Sequence, residues 1–484
     1  MKKVLGIFLA LAMVMCAFAG CNNSPEYTSS VWIIEDDEST VVDNQEGEEG
    51  NESNSASNTS SNKNTSSNKN TSSSSSVDMS KSLDLKGQKV TMAITNEPQY
   101  NTSSFKATIS AFEKKYNCKV KTFKLDFENY NQEVSQRMST GDPYDICFTH
   151  SINFPTGPIA GLYADLTEAI KQVGNSNFDK AMSAQFDYNG KKYGVCDSYH
   201  SADPIVMFYN AALFEENGLE DPLALYKAGK WTWDKIFEMG KQVTNSKEGI
   251  YFFDAYGTVA YASYGVPFYE TVNGKVHVRL RNETLRKGFE LTKKMYYGND
   301  AIAEPANTNS NGDSNAHFVN GLTFMAIRES YKYSDFAPRV KTSIAFGKST
   351  KNLQIVPMPL AAENTAKRYP SGWYTAVAAG QGSDPRIAVT WADFYSTYRS
   401  SVKGSNEMTT EQKELVDSLK SNRAPTRHGE YQTSAYNTTD LTGYSLVTQF
   451  CLGKDISQTI DTIYPNFIAC LDETIGKGNY VIDN

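Results

Sequence analysis

Val90-Thr91-Met92-Ala93-Ile94-Thr95 is a short apolar run that reads as a strand, and the chain changes period directly after it. Phe105, Ile109, Phe112 and Tyr116 follow at spacings of four, three and four, which is one face of a helix. Val120–Leu125 then alternates like a second strand, and Tyr144–Thr149 and Pro204–Tyr209 read as further strands. Strands that alternate with helices in this way imply an α/β fold with mostly parallel sheets and helices on their faces. The helix after Tyr209 is expected to end at Asn217-Gly218, and Thr232 is placed to cap one that starts at Trp233. Asp384-Pro385 opens a helix whose apolar face is Ile387, Trp391, Phe394 and Tyr398, and Thr409-Thr410-Glu411 starts another. About the last forty residues read as largely helical.

Before this folded part the composition is different. Lys2 and Lys3 precede an apolar run from Val4 to Ala19, the pattern of a secretory signal over residues 1–20. Residues 22–81 carry eleven acids against three lysines, and Ser-Asn-Lys-Asn-Thr-Ser occurs twice between Ser61 and Ser72. Such a stretch cannot bury enough apolar surface to offset its chain entropy, so it is expected to be a linker. As a coil of about 60 residues its r.m.s. reach is roughly 40–45 Å. The formal charge of −8 is therefore misleading: the leader adds two positive charges, the linker holds eight net negative ones, and residues 82–484 stand near −2. A nearly neutral folded part lacks the basic face that nucleic-acid binding requires.

Of seven cysteines, Cys16 leaves with the signal, and Cys118, Cys147, Cys196, Cys451 and Cys470 lie in the folded part. Five is odd and none are spaced as CxxC, so neither a disulfide framework nor a zinc ribbon is indicated, although a single disulfide stays open. Cys118 and Cys147 read as small buried apolar residues. No HExxH exists among the five histidines, and no GxSxG is present. Gly347-Lys348-Ser349-Thr350 has the ending of a phosphate loop without its leading glycine, since position 342 is Thr342. No cofactor or metal is implied.

Phe18-Ala19-Gly20-Cys21 resembles the bacterial lipobox, in which the cysteine is lipidated and becomes the new N-terminus. Further on, Phe112-Glu113-Lys114-Lys115-Tyr116-Asn117, then Pro143-Tyr144-Asp145-Ile146 with Gly161-Leu162 and Asp165-Leu166, resemble the extracellular solute-binding proteins that serve ABC importers. The nearest likeness is to their maltose/maltodextrin-binding type. Tyr209-Asn210, Leu213-Phe214, Gly218-Leu219, Pro222 and Thr232-Trp233 continue it in order, followed by Asn273-Gly274-Lys275, Phe318–Gly321 with Met325, and Ala376–Gly380. The order of these items over about 300 residues carries the likeness, rather than any one of them.

The resemblance implies a two-lobed, hinged periplasmic-binding-protein-like fold of type II, each lobe a mostly parallel sheet flanked by helices. Lobe one is then expected over 83–200 plus 373–425 and lobe two over 201–372 plus 426–484, after a leader (1–20) and a lipid-anchored linker (21–82). The ligand lies between the lobes, at the strand ends. A sugar site needs carboxylates, amides and Arg for hydroxyls and aromatic rings for C–H faces. By position, the resemblance nominates Glu97 and Gln99 after the first strand, then Thr149, His150 and Ser151, where the maltose type has an aromatic and a charged pair. It adds Tyr199, His200 and Asp203 at the outward crossing, and Asp254 and Tyr256 as an acid and a stacking ring. Arg328 and Tyr331 follow the Met325 strand, and Trp373 and Tyr374 follow Gly372 at the return crossing. Trp231, Trp233 and Trp391 read as structural.

The implied activity is capture of a carbohydrate, an oligosaccharide, and its delivery to ABC permease subunits by a non-enzymatic monomer. Cys21 would tether it by lipid to the extracellular face of the cell membrane. Three alternatives stay open: the same fold binding a non-sugar solute, a cell-surface glycoside hydrolase working through two carboxylates, and an adhesin.

Overall fold

The computed structural model describes residues 83–484 apart from 84, 96–99, 127–128, 175–176, 198–202, 255–256, 306–313, 373, 402–407 and 426–442. The expected leader, Cys21 and the linker lie outside the described residues.

The first sheet contains β1 (Lys89–Thr95), β2 (Lys119–Leu125) and β3 (Ile146–His150), with β1 parallel to both its neighbours. The second contains β4 (Ile205–Asn210), β5 (Tyr251–Phe253), β6 (Thr323–Glu329) and β7 (Leu353–Pro357), in the order β7-β4-β6-β5. The chain then returns to the first sheet as β8 (Thr375–Ala378), giving the order β8-β3-β1-β2. In each sheet three strands share a direction and one opposes them. The opposing strands are β8, antiparallel to β3, and β4, antiparallel to both β6 and β7. These are the strands through which the chain enters a sheet from the other lobe.

The inner strands are covered on both faces, which is why β3, β4 and β6 are buried along their whole length, whereas the edge strand β2 alternates and is mostly exposed. In β4, Ile205, Met207 and Tyr209 face one core and Val206 and Phe208 the other. In β1, Val90, Met92 and Ile94 share a core with the helix Ser103–Tyr116 through Phe105 and Phe112, while Ala93 faces the opposite side. Trp391, on the helix Pro385–Ser401, is fully buried and meets Phe112 edge-on with ring centres 5.0 Å apart. Trp231 and Trp233 are also structural, their indole N–H groups donating to Pro357 O at 2.9 Å and Ser263 Oγ at 3.1 Å.

Local signals set the element ends. Thr232 Oγ1 accepts from Lys235 N at 3.2 Å, capping the helix Trp233–Val243 as its residue type predicts. Thr409 caps Thr410–Lys420 in a capping box: Gln412 N donates to Thr409 Oγ1 at 3.2 Å and Thr409 N to Gln412 Oε1 at 3.0 Å, with Glu411 in the first turn. Asn273 and Gly274, at φ 51° and 73°, turn the hairpin Tyr269–Val272/Lys275–Val278.

One expected boundary moves. The helix Pro385–Ser401 packs on the first sheet, but Met408, Val416 and Leu419 join the core of the second. Gln412 Nε2 donates to Leu353 O at 3.0 Å, so the helix Thr410–Lys420 belongs with β7 rather than with lobe one. All five cysteines of the folded part are free thiols, four of them buried.

Candidate functional site

Strand β3 ends where the return crossing begins. The register pairs His150 with Thr375, and Ser151 N donates to Tyr374 O at 3.0 Å. Two residues further back, Gly372 N donates to Asp203 O at 2.9 Å, and Pro204 and Ser371 form an antiparallel bridge. On the other side Ser330 N donates to Pro204 O at 2.9 Å. One run of backbone bonds thus joins the end of β3, both crossings and the end of β6.

A third segment lies against these two. Arg423–Pro425 pairs in parallel with Tyr369–Ser371, and Ser371 Oγ donates to Ala424 O at 3.0 Å. Arg423 forms an ion pair with Asp179 of the first lobe, both side chains being nearly buried. Behind the crossings Gln185 holds the second-lobe hairpin: its Oε1 accepts from Thr271 N at 2.9 Å and its carbonyl from Thr271 Oγ1 at 3.0 Å.

Asp203 is the polar centre of this junction. Ser330 Oγ donates to its Oδ1 at 3.0 Å, and the Lys420 ammonium stands 3.9 Å from the same atom. Burial pushes its carboxyl above the usual aspartate range, with Glu329 adding to the rise and Lys420 and the Ser330 bond opposing it. Gly372 leaves this space to Glu329: a Cβ on it would lie 2.9 Å from Glu329 Oε1 and nearer still to Cγ, so a larger residue needs the Glu329 side chain to shift. Tyr331, next after Ser330, is 51% exposed, with the Lys332 ammonium 5.1 Å from its ring centre.

Other nominated residues are placed differently. Tyr374 is a correction: it is 1% exposed, in an apolar cluster with Phe154 and Met182 and edge-on to Phe186 at 5.7 Å. Thr149 is another, since it is buried and accepts from Tyr163 OH at 3.2 Å. His150 and Ser151 are buried beside the crossing, with Ser151 Oγ 3.4 Å from His150 Nδ1. Asp254 and Arg328 form a buried pair through both carboxylate oxygens, and Arg328 Nη1 also donates to Ile327 O at 2.8 Å. Arg328 therefore pairs across to Asp254 and not with its neighbour Glu329. Glu97, Gln99, Tyr199, His200, Tyr256 and Trp373 lie outside the described residues.

Sequence reasoning passed over Ser330 and Lys420. Ser330 had a usable signal, being one of two polar residues, with Glu329, between the nominated Arg328 and Tyr331. Lys420 had none, because a residue 217 positions from Asp203 reaches it only through the packing of its helix. Among the described residues no group of three or more His, Cys, Asp or Glu is arranged to hold a metal, and no helix is long and apolar enough to cross a membrane. What the junction offers is hydrogen-bond acceptors, a hydroxyl and an exposed ring, which is the chemistry of binding.

Residues 107–403 match the family model described as bacterial extracellular solute-binding protein. No protein of curated function matches the sequence. Among solved structures, the ABC substrate-binding protein Lmo0181 from Listeria monocytogenes, in complex with cycloalternan, is similar at 17% identity and a TM-score of 0.57. That match covers 79% of this chain and 99% of that one. Maltose-bound MalE3 of T. maritima is similar at 17% identity and 0.54, covering 79% and 100%. UgpB from Mycobacterium tuberculosis, in complex with glycerophosphocholine, is similar at 14% identity and 0.58, covering 80% and 99%. At these identities the likeness establishes a shared two-lobed fold.

Proposed function

The chain belongs to the bacterial extracellular solute-binding proteins, and from that premise we propose that it is a receptor that captures a carbohydrate, an oligosaccharide, for an ABC importer. The observation that carries the reading is the junction itself. Asp203, Ser330 and Tyr331 bring an acceptor, a hydroxyl and a half-exposed aromatic ring to the place where the ends of β3 and β6 meet both crossings. A ligand bridging the lobes there favours their closed arrangement, because only a solute touching both lobes has differential affinity for it. Closed, loaded receptor then docks on the permease subunits.

The receptor works as a non-enzymatic monomer, tethered by lipid on Cys21 to the extracellular face of the membrane. The linker over residues 21–82 keeps it near the transporter and raises its effective concentration there. Lobe one is read as residues 83–200 plus the return through β8 and the helix Pro385–Ser401, and lobe two as the remainder. A second reading, a non-sugar solute in the same cleft, is favoured by Thr149-His150-Ser151 standing where the maltose type has an aromatic and a charged pair, and by the burial of Thr149 and Tyr374, two of the nominated ligand contacts.

The test is a thermal-shift screen of the full chain against sugars, amino acids, peptides and phosphodiesters. A ligand that binds only the folded state stabilises it by about 2.7 kcal/mol at a hundredfold excess over Kd. A rise confined to one class of oligosaccharide supports the carbohydrate reading. A rise with another class alone keeps the fold and overturns the carbohydrate assignment.

A further inference from the structure

Glu329 ends β6 and is 8% exposed, yet among the described residues its carboxylate has no hydrogen-bond or ion-pair partner. Acids of this burial are normally paired, since an unpaired buried charge is costly. The nearby cations are engaged elsewhere. Side chains alternate along a strand, so Arg328 turns to the opposite side of β6, where it pairs with Asp254. Arg423 pairs with Asp179, and Lys420 stands between Asp203 and Asp417, at 3.9 and 3.4 Å.

The carboxylate also belongs to the junction at which the proposed ligand binds. It packs on Gly372, whose N–H is bonded to Asp203 O, and the next residue, Ser330, donates to the Asp203 side chain. Glu329 is close enough to Asp203 to disfavour its charge. Two carboxylates thus meet at one junction with a single ammonium group beside the first. A ligand hydroxyl gives Glu329 a hydrogen bond but leaves its charge in place. A protonated amine gives both the bond and the neutralising charge, the stronger of the two contacts.

We propose that Glu329 contacts the ligand and, with Asp203, selects a saccharide carrying a protonated amine over its hydroxyl or acetylated counterpart. This inference rests on the carbohydrate reading above.

The experiment is calorimetric titration of the full chain with glucosamine, galactosamine and chitotriose, each against glucose, galactose and triacetylchitotriose, at a pH where the amines are protonated. The expected result is binding of at least one amine about tenfold tighter than its neutral counterpart. Glu329→Gln is expected to abolish that preference while the ligand-free melting temperature stays the same or rises, since an unpaired buried charge has been removed. Equal or tighter binding of the neutral members overturns the inference and leaves the carbohydrate reading standing. Absence of amine binding overturns it as well. A lower melting temperature of ligand-free Glu329→Gln assigns the residue to the fold and overturns it too. Binding confined to non-sugar solutes in the wider screen overturns both.

Discussion

Gly372 donates its backbone N–H to the carbonyl of Asp203 at 2.9 Å, so the outward and return crossings of the two lobes touch at a glycine. The bond ties the two crossings together, and the absent side chain at 372 leaves room for Glu329.

Gly372→Ala is expected to destabilise the protein by about 1–3 kcal/mol, the usual range for overpacking a tight site. Shortening the residue it strikes relieves the clash, so Gly372→Ala with Glu329→Ala costs less than the sum of the two single changes. Urea denaturation of the four proteins reads the coupling; strict additivity would contradict the packing described.

Asp203 gives a pH signature. Its carboxyl is raised on folding, chiefly by burial, above an ordinary value of 3.8. A carboxyl raised in the folded state contributes stability below its unfolded pKa and loses it as the pH rises through the folded one. Asp203→Asn keeps an acceptor for Ser330 and removes that loss. It is therefore expected to melt higher than the parent at neutral pH, with the gain vanishing as the pH falls below about 3.8. Melting curves over that range check it, and a gain that is larger in acid would reverse the assignment.

Asp254 and Arg328 are a buried pair 74 residues apart. Arg328→Ala leaves an uncompensated carboxylate and is expected to cost about 3–5 kcal/mol. A loss under about 1 kcal/mol, the range of exposed ion pairs, would contradict that placement.

Tyr331 is half exposed and Tyr374 is not, so the two nominated tyrosines separate cleanly. Tyr331→Ala should change stability by no more than about 0.5 kcal/mol and weaken saccharide binding. Tyr374→Ala should instead cost about 3–5 kcal/mol, as for large core rings. Equal losses of stability in the two variants would show that both rings are core.

Gln185 ties the lobes together behind the crossings. Removing the acceptor of the Thr271 N–H by Gln185→Ala is expected to cost about 1–3 kcal/mol, measurable by denaturation, because that amide is buried.

Much of the fold was legible because it is written locally. The Phe105–Tyr116 stripe, the Thr232 cap, the Asn273-Gly274 turn and the apolar face around Trp391 each depend on residues within one element. The site was legible only in part. The placing of Asp203 at a crossing came from the family resemblance, and its bond from Gly372 N puts it beside the return segment. Which way Tyr374 faces depends on Phe186, and what Arg328 pairs with depends on Asp254, so neither follows from nearby sequence. The helix Thr410–Lys420 was assigned to the wrong sheet for a similar reason. Its amphipathic pattern says that it packs, but only contacts such as Gln412 to Leu353 say against what.

The most direct test of the account is calorimetric titration of the full chain with a panel of oligosaccharides, amino acids, peptides and phosphodiesters, with the solute recovered afterwards. The account predicts saturable one-to-one binding to one class of oligosaccharide, which is returned unchanged. Binding confined to the other solutes, or a sugar returned cleaved, would contradict it.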